Sequence, residues 1–273
     1  MVFANFSLSQ LIINTFQMKD PNNFSRRRFF KSAGLSAAAV TGAPLLIQSC
    51  KPAPGDSKIH ERFAEGDVVL FQGDSITDAG RNKQQELSNN PWSFGVGYAN
   101  HIASWLLEEL PDRNLTIYNR GISGNKVYQL AERWEKDCLE LKPDLLSILI
   151  GVNDYWHFRN DKYDGTPEIY ESDYRKLLER TMEALPDLKL VICQPFILTG
   201  TSAVDETWVE PFSAYQVAAK KISDEFGAIW VPFQEAFDRA VELAPPAYWA
   251  GDGVHPSMAG AQLMANTWLE ALG

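Results

Sequence analysis

Cysteine is scarce in this chain: Cys50, Cys138 and Cys193 are the only three in 273 residues. Three thiols so far apart build neither a disulfide framework nor a structural zinc site, so packing of an apolar core must carry the stability. Cys138, in a helix-like segment, and Cys193, in a strand-like one, read as small buried apolar residues. Long apolar runs are missing too. The stretch 33–47 is fifteen mostly small residues, short of the roughly 20 that a membrane-spanning helix needs. Positive charge is also deficient. Past residue 50 the chain holds 20 basic and 34 acidic groups, a balance of −14 within an overall −10. Such a body repels phosphate backbones and anionic headgroups, which argues against nucleic acid or a phospholipid surface as partner and favours a neutral substrate. Histidines number four: His60, His101, His157 and His255.

The first fifty residues differ from the rest. Ser25-Arg26-Arg27-Arg28-Phe29-Phe30-Lys31 precedes the weakly apolar stretch Ala33 to Ile47, which ends at Gln48-Ser49-Cys50. This pattern resembles a twin-arginine export signal, departing from Ser-Arg-Arg-x-Phe-Leu-Lys only at Phe30. Twin-arginine substrates cross the membrane already folded, so they cannot depend on disulfides, in agreement with the cysteine count. Ile47 to Cys50 resembles a lipoprotein cleavage box with Ser49 before the cysteine to be acylated. Gln48 is its departure, and ordinary cleavage near Ala53 is the alternative. Met18 is a second candidate start. The expected organisation is an export signal with lipobox over 1–50, a linker over 51–62 and one folded domain over 63–273. The expected location is the periplasm or cell envelope, with membrane contact only through a lipid at Cys50.

Strand-like runs follow at Val68 to Gln72, Leu115 to Tyr118, Leu145 to Ile150, Leu190 to Gln194 and Ala228 to Val231. They are continuously apolar rather than alternating, as strands covered on both faces are. Helical periods lie between them: Tyr170, Tyr174, Leu177, Leu178, Thr181 and Leu185 share one face, as do Tyr215, Ala218, Ala219, Ile222 and Phe226. Strand alternating with helix predicts an α/β fold, a three-layer α/β/α sandwich around a five-stranded parallel sheet of flavodoxin-like order. In such sheets a ligand sits at the carboxyl ends of the strands.

Four short motifs fall at those ends. Gly73-Asp74-Ser75-Ile76 follows the first strand and places a serine where the strand breaks into a turn. Asn119 to Asn125, with Gly124, follows the second, and Gly151-Val152-Asn153-Asp154 follows the third. Near the C-terminus, Asp252-Gly253-Val254-His255-Pro256 supplies a carboxylate and an imidazole three residues apart. A serine hydroxyl attacks a carbonyl only if a base removes its proton. His255 is the candidate base, because His60 falls in the expected linker, His101 on a helix face and His157 in a loop rich in aromatics. Asp252 would fix the tautomer of His255 and stabilise its imidazolium, while Gly251 and Gly253 let the loop turn. A backbone N–H at Gly124 and the side-chain amide of Asn153 are suitable donors to an oxyanion. Each motif alone has a plain structural reading: a turn, a helix cap, or Pro256 opening the last helix. All four in one order favour catalysis.

These motifs resemble, in order, those of the SGNH, or GDSL-type, serine hydrolases, and the resemblance spans about residues 67 to 270. It implies Ser75 as nucleophile, Asp252 and His255 as its partners, and the Ser75 and Gly124 amides with the Asn153 side chain as oxyanion hole. Ile76 stands where the family has leucine, a packing position. Position 77 is threonine, so the chain departs from the Gly-x-Ser-x-Gly elbow of α/β-hydrolases.

The chemistry so implied is ester hydrolysis through an acyl-enzyme, with no cofactor and no metal. Export, acidity and resemblance to bacterial members point to acetyl groups on carbohydrate, so the expected substrate is a small-molecule or oligosaccharide ester. Asp74, Trp92, Tyr155, Trp156 and Trp249 are the expected substrate-binding residues, together with a wall formed by a loop from Tyr155 to Thr166. Aromatic rings stack on sugar faces, although they serve equally in an acyl pocket. The alternatives are a lipolytic enzyme, for which no apolar lid segment is present, and a non-catalytic carbohydrate-binding lipoprotein. A flavodoxin-like nucleotide binder is disfavoured by Asp74, which would repel phosphate.

Overall fold

The computed structural model describes residues 56–273. The expected export signal, Cys50 and the first part of the expected linker lie outside these residues. The five strands are β1 (Val68–Gly73), β2 (Thr116–Asn119), β3 (Leu145–Leu149), β4 (Lys189–Cys193) and β5 (Ile229–Val231). They form one all-parallel sheet in the order β2-β1-β3-β4-β5, the flavodoxin-like arrangement. The strands match the apolar runs to within about a residue at each end. β3 is buried throughout and β1 nearly so, whereas β2, at the edge, alternates between buried and half-buried positions.

The helices are α1 (Asp56–Arg62), α2 (Ser75–Asp78), α3 (Tyr98–Glu109), α4 (Val127–Asp137), α5 (Val152–Arg159), α6 (Pro167–Ala184), α7 (Val209–Glu225), α8 (Phe233–Ala240), α9 (Pro246–Trp249) and α10 (Met258–Leu272). Two adjacent residues of β1 show how they cover the sheet, because neighbouring side chains on a strand point to opposite faces. Phe71 packs against Trp268 of α10 and Tyr98 of α3, with ring centroids 5.6 and 6.1 Å away. Gln72 points the other way, where its Nε2 donates to the Asp137 carbonyl at the end of α4 (2.7 Å). On the first side α10 packs with α3, α8 and α1; on the second, α6 packs with α4 and α7. Cys138 and Cys193 are free and buried, as their sequence context predicts.

Two expectations are corrected. Residues 56–62 belong to the packed body rather than to a linker. Ile59 and Phe63, four apart, are both buried, and Arg62 Nε donates to the Leu272 carbonyl at 3.0 Å. Likewise, no loop begins at Tyr155: Val152 to Arg159 is helical, starting from Gly151, whose φ of +135° lets the chain leave β3 and turn at once. Only residues 160–166 are irregular before Thr166 caps α6 by accepting from the Ile169 amide (3.4 Å).

Candidate active site

The end of β1 needs glycine because the turn is crowded. A Cβ on Gly73 would collide with the Leu149 carbonyl and the Thr77 hydroxyl. Asp74 then caps α2 by accepting from the Ile76 amide (2.9 Å), which leaves Ser75 as the first residue of a one-turn helix that ends at Ala79 in the left-handed conformation. First-turn amides have no partner inside a helix, so the Ser75 N–H is available beside its own hydroxyl.

Asp78, at the other end of that turn, fixes the second motif. Its Oδ2 accepts from the Ser123 amide (2.9 Å), the Ser123 hydroxyl (2.6 Å) and Lys83 Nζ (2.8 Å). Burial alone would raise this carboxyl, but those three donors outweigh it and hold Asp78 below its ordinary range. Asn119 Nδ2 adds a bond to the Thr77 carbonyl (2.7 Å), and a Cβ on Gly121 would strike the backbone of residues 77 and 78. Gly124 is thereby held near Ser75 with φ +82°, its open side free of neighbours.

Asp252 and His255 form a compact unit. Asp252 Oδ1 accepts from the Val254 and His255 amides at 2.9 and 2.8 Å, and Oδ2 lies 2.6 Å from His255 Nδ1. Burial would raise the Asp252 carboxyl, but the bonds from the His255 ring and from the two amides outweigh it and hold it below its ordinary range. A carboxylate can only accept, so Nδ1 carries the hydrogen and Nε2 is left as an acceptor. That Nε2 stands 2.8 Å from Ser75 Oγ across 180 positions of chain. The loop is closed by an antiparallel bridge between Ala250 and Pro256 and tied to the segment after β4 by the Leu198 amide, which donates to the Gly253 carbonyl (2.8 Å). Gly253, at φ +87°, fits against Leu198, Thr201 and Val204 where no Cβ could; Gly251 meets nothing within 4 Å, so only one of the two glycines is sterically required.

The third motif brings Asn153 to the same edge. Its Nδ2 donates to the Asn125 carbonyl at 3.4 Å. Asn153, Trp156, His157 and Asn160 are spaced i, i+3, i+4 and i+7 on one face, and with Lys162 they line a cavity of about 330 Å³. A second cavity of about 320 Å³, lined by Leu198, Val209, Phe212, Gln216 and Gln234 among others, contains none of the motif residues, whereas the first contains Asn153, with Ser75 and His255 outside its lining.

Of the expected substrate-binding residues, Trp156 is placed on this cavity. Tyr155 is not, and this is a correction: it is 2% exposed on the opposite face of α5, packed against Trp208, Phe212 and Tyr215. Asp74 is fully buried and spends one oxygen on its own turn, so it cannot touch a substrate. Trp249 packs on the core with its Nε1 donating to the Ala244 carbonyl (3.2 Å), which anchors the base of the Asp252–His255 loop. Trp92 is 72% exposed on the segment after α2.

Sequence reasoning missed a pair of buried acids beneath the site. Burial pushes Asp74 up to about 7, against the opposing pulls of the Ile76 amide, the His255 charge and the Asn153 amide. Burial pushes Asp154 to about 7 as well, with the Asp74 charge adding to the push; Asp154 Oδ1 accepts from the Val127 amide (3.1 Å). Oδ2 of each has no hydrogen-bond partner among the described residues. Two carboxyls side by side in motifs that end at a sheet edge are the one sequence signal for this pair.

Sheet, relay and donors together define a serine hydrolase. Residues 71–263 match the GDSL-like lipase/acylhydrolase family, and the chain belongs to that family. It is a serine esterase, acting on carboxylic ester bonds. An acetylxylan esterase of Geobacillus stearothermophilus is 32% identical over 214 residues, covering 78% of this chain and 96% of its own. Among solved structures, a Parabacteroides merdae protein described as a GDSL-like lipase is 53% identical with a TM-score of 0.76, covering 77% of this chain and 97% of its own. The crystal structure of Axe2, an acetylxylan esterase from G. stearothermophilus, is 31% identical with a TM-score of 0.71, covering 78% and 96%.

The buried pair makes a prediction for stability. A carboxyl whose folded-state pKa lies above its unfolded value of 3.8 binds a proton more tightly when folded, so its contribution to stability falls as pH rises from about 4 to about 7. Each such group costs up to about 1.4 kcal/mol per pH unit within that window. Asp154→Asn is expected to gain on the wild type steadily from about pH 4 to about pH 7 in urea unfolding and to level off above it. A difference between the two proteins that stays flat with pH would contradict the assignment.

Proposed function

We propose that the chain is an exported esterase that removes acetyl groups from carbohydrate through an acyl-enzyme on Ser75. The observation that carries this reading is the relay from Asp252 Oδ2 through His255 to Ser75 Oγ, with contacts of 2.6 and 2.8 Å, beside a cavity lined by Asn153, Trp156, His157, Asn160 and Lys162. A long acyl chain would need an apolar channel there, whereas hydroxyl-rich sugar faces suit amides, an imidazole and an indole. The 32% identity to an acetylxylan esterase supports the same substrate class.

In this mechanism His255 takes the Ser75 proton as Oγ attacks the acetyl carbonyl. The tetrahedral oxyanion is met by the Ser75 and Gly124 amides and the Asn153 Nδ2, donors fixed before the substrate arrives. Collapse expels the sugar alcohol, which receives the proton from His255. Water, activated by the same imidazole, then releases acetate. The imidazolium formed in each half-reaction is stabilised by Asp252, whose carboxylate is already held ionised by three hydrogen bonds.

Nitrophenyl esters from acetate to palmitate test the acyl group: activity is expected to peak at two to four carbons and to vanish in Ser75→Ala. Preference for eight or more carbons would favour a lipolytic enzyme, and full activity in Ser75→Ala would remove Ser75 as nucleophile. For the oxyanion role, Asn153→Ala is expected to lower kcat about 10²-fold with little change in KM, the cost of one lost donor. An effect confined to KM would refute that role. Export rests on the Ser25 to Lys31 pattern. Replacing Arg26 and Arg27 together by lysine is expected to leave the esterase in the cytoplasmic fraction; unchanged export would show that another signal is used.

A further inference from the structure

The lining of the cavity beside Asn153 contains no carboxylate. Past residue 50 the chain carries a balance of −14, yet this wall holds Lys162 together with the amides of Asn153 and Asn160 and the ring of His157. Lys162 is exposed at the cavity. Lys126 lies behind it, 6% exposed, with its Nζ 3.4 Å from the Gly124 carbonyl and 5.6 Å from the ring centroids of both Tyr128 and Tyr163. Six of the other eight described lysines are ion-paired with carboxylates. Neither Lys126 nor Lys162 has a carboxylate within ion-pair distance among the described residues, although Asp161 and Asp164 flank Lys162 in sequence. The His157 ring lies in the field of both lysines: burial first, then the charges of Lys126 and Lys162, lowers its affinity for a proton. His157 therefore stands neutral at pH 7 and presents an N–H as well as an acceptor. Asp154, whose charge reaches Lys126, is itself pushed up to about 7, so it compensates that lysine only in part.

Ammonium groups without an ion-pair partner, next to amide and imidazole donors, suit an anion, and an indole among them suits the apolar face of a pyranose. We propose that this cavity is a subsite for a carboxylate-bearing sugar, so that the preferred substrate is an acetylated oligosaccharide containing a uronic acid rather than a neutral one. The ring lies on Trp156, the carboxylate meets Lys162 at the mouth, and Asn160 and His157 bond its hydroxyls. Lys126 acts from beneath, through its field, without direct contact. Asn153 belongs both to this cavity and to the proposed oxyanion hole, which places the acidic sugar next to the residue whose acetyl group is removed.

This subsite rests on the acetyl-carbohydrate reading above, and one comparison separates the two. Acetate release is measured on two acetylated xylooligosaccharides that differ only in a hexuronosyl branch, with nitrophenyl acetate as a third substrate. The wild type is expected to show a kcat/KM about tenfold higher on the acidic oligosaccharide, expressed mainly in KM. The preference should shrink to about twofold or less in 0.5 M NaCl, where the screening length is on the order of 4 Å. It should shrink equally in Lys162→Gln at low salt and survive in Lys162→Arg. Equal rates on the two oligosaccharides, or a preference that Lys162→Gln leaves intact, would overturn the subsite while leaving the esterase reading in place. Turnover of nitrophenyl acetate with neither oligosaccharide deacetylated would overturn both.

Discussion

The contact between Ser75 Oγ and His255 Nε2 joins the first strand's exit to a loop 180 positions later, and every other feature of the site has to be compatible with that 2.8 Å. A parallel sheet makes it achievable. All five strands run the same way, so their carboxyl ends share one edge, and the turns after β1, β2 and β3 deliver Ser75, Gly124 and Asn153 without any long excursion of the chain. The edge is then made rigid locally. Asp78 gathers three donors from two segments, and Gly73, Gly121 and Gly253 are sites where a single added carbon would force backbone apart. Close-packed turns of this kind fix positions to fractions of an ångström, which is what a proton transfer between side chains on distant segments requires.

Much of this was legible in the sequence because the relevant physics is local. Strands buried on both faces leave continuous apolar runs, and β1, β3 and β4 appear in the sequence almost as they do in the fold. The four motifs are legible for a similar reason: nucleophile, base and acid must each follow a turn, and turns have compositional signatures. The family match over residues 71–263 covers the same stretch that the motifs span.

What was not legible depends on which way a side chain points. Tyr155 and Trp156 are neighbours in sequence, yet a step of one residue on a helix is about 100°, so one ring enters the core and the other faces the cavity. Reading α5 as a loop removed that distinction. The spacing of 153, 156, 157 and 160 was the available clue. Asp74 was misplaced for a different reason. Its burial is a property of the assembled edge, where Asn153 and His255 reach it from distant segments, and no window of sequence reports that. The linker boundary failed similarly, since Ile59 and Phe63 become a buried pair only when α10 is present to receive them.

The loop from Ala250 to Pro256 carries both the general base and its carboxylate, closed on itself by a backbone bridge and three hydrogen bonds to a single aspartate. Base and orienter thus move as one rigid cassette. Any displacement of this segment would part the imidazole from the serine without parting it from Asp252, so the ring would return already in the correct tautomer.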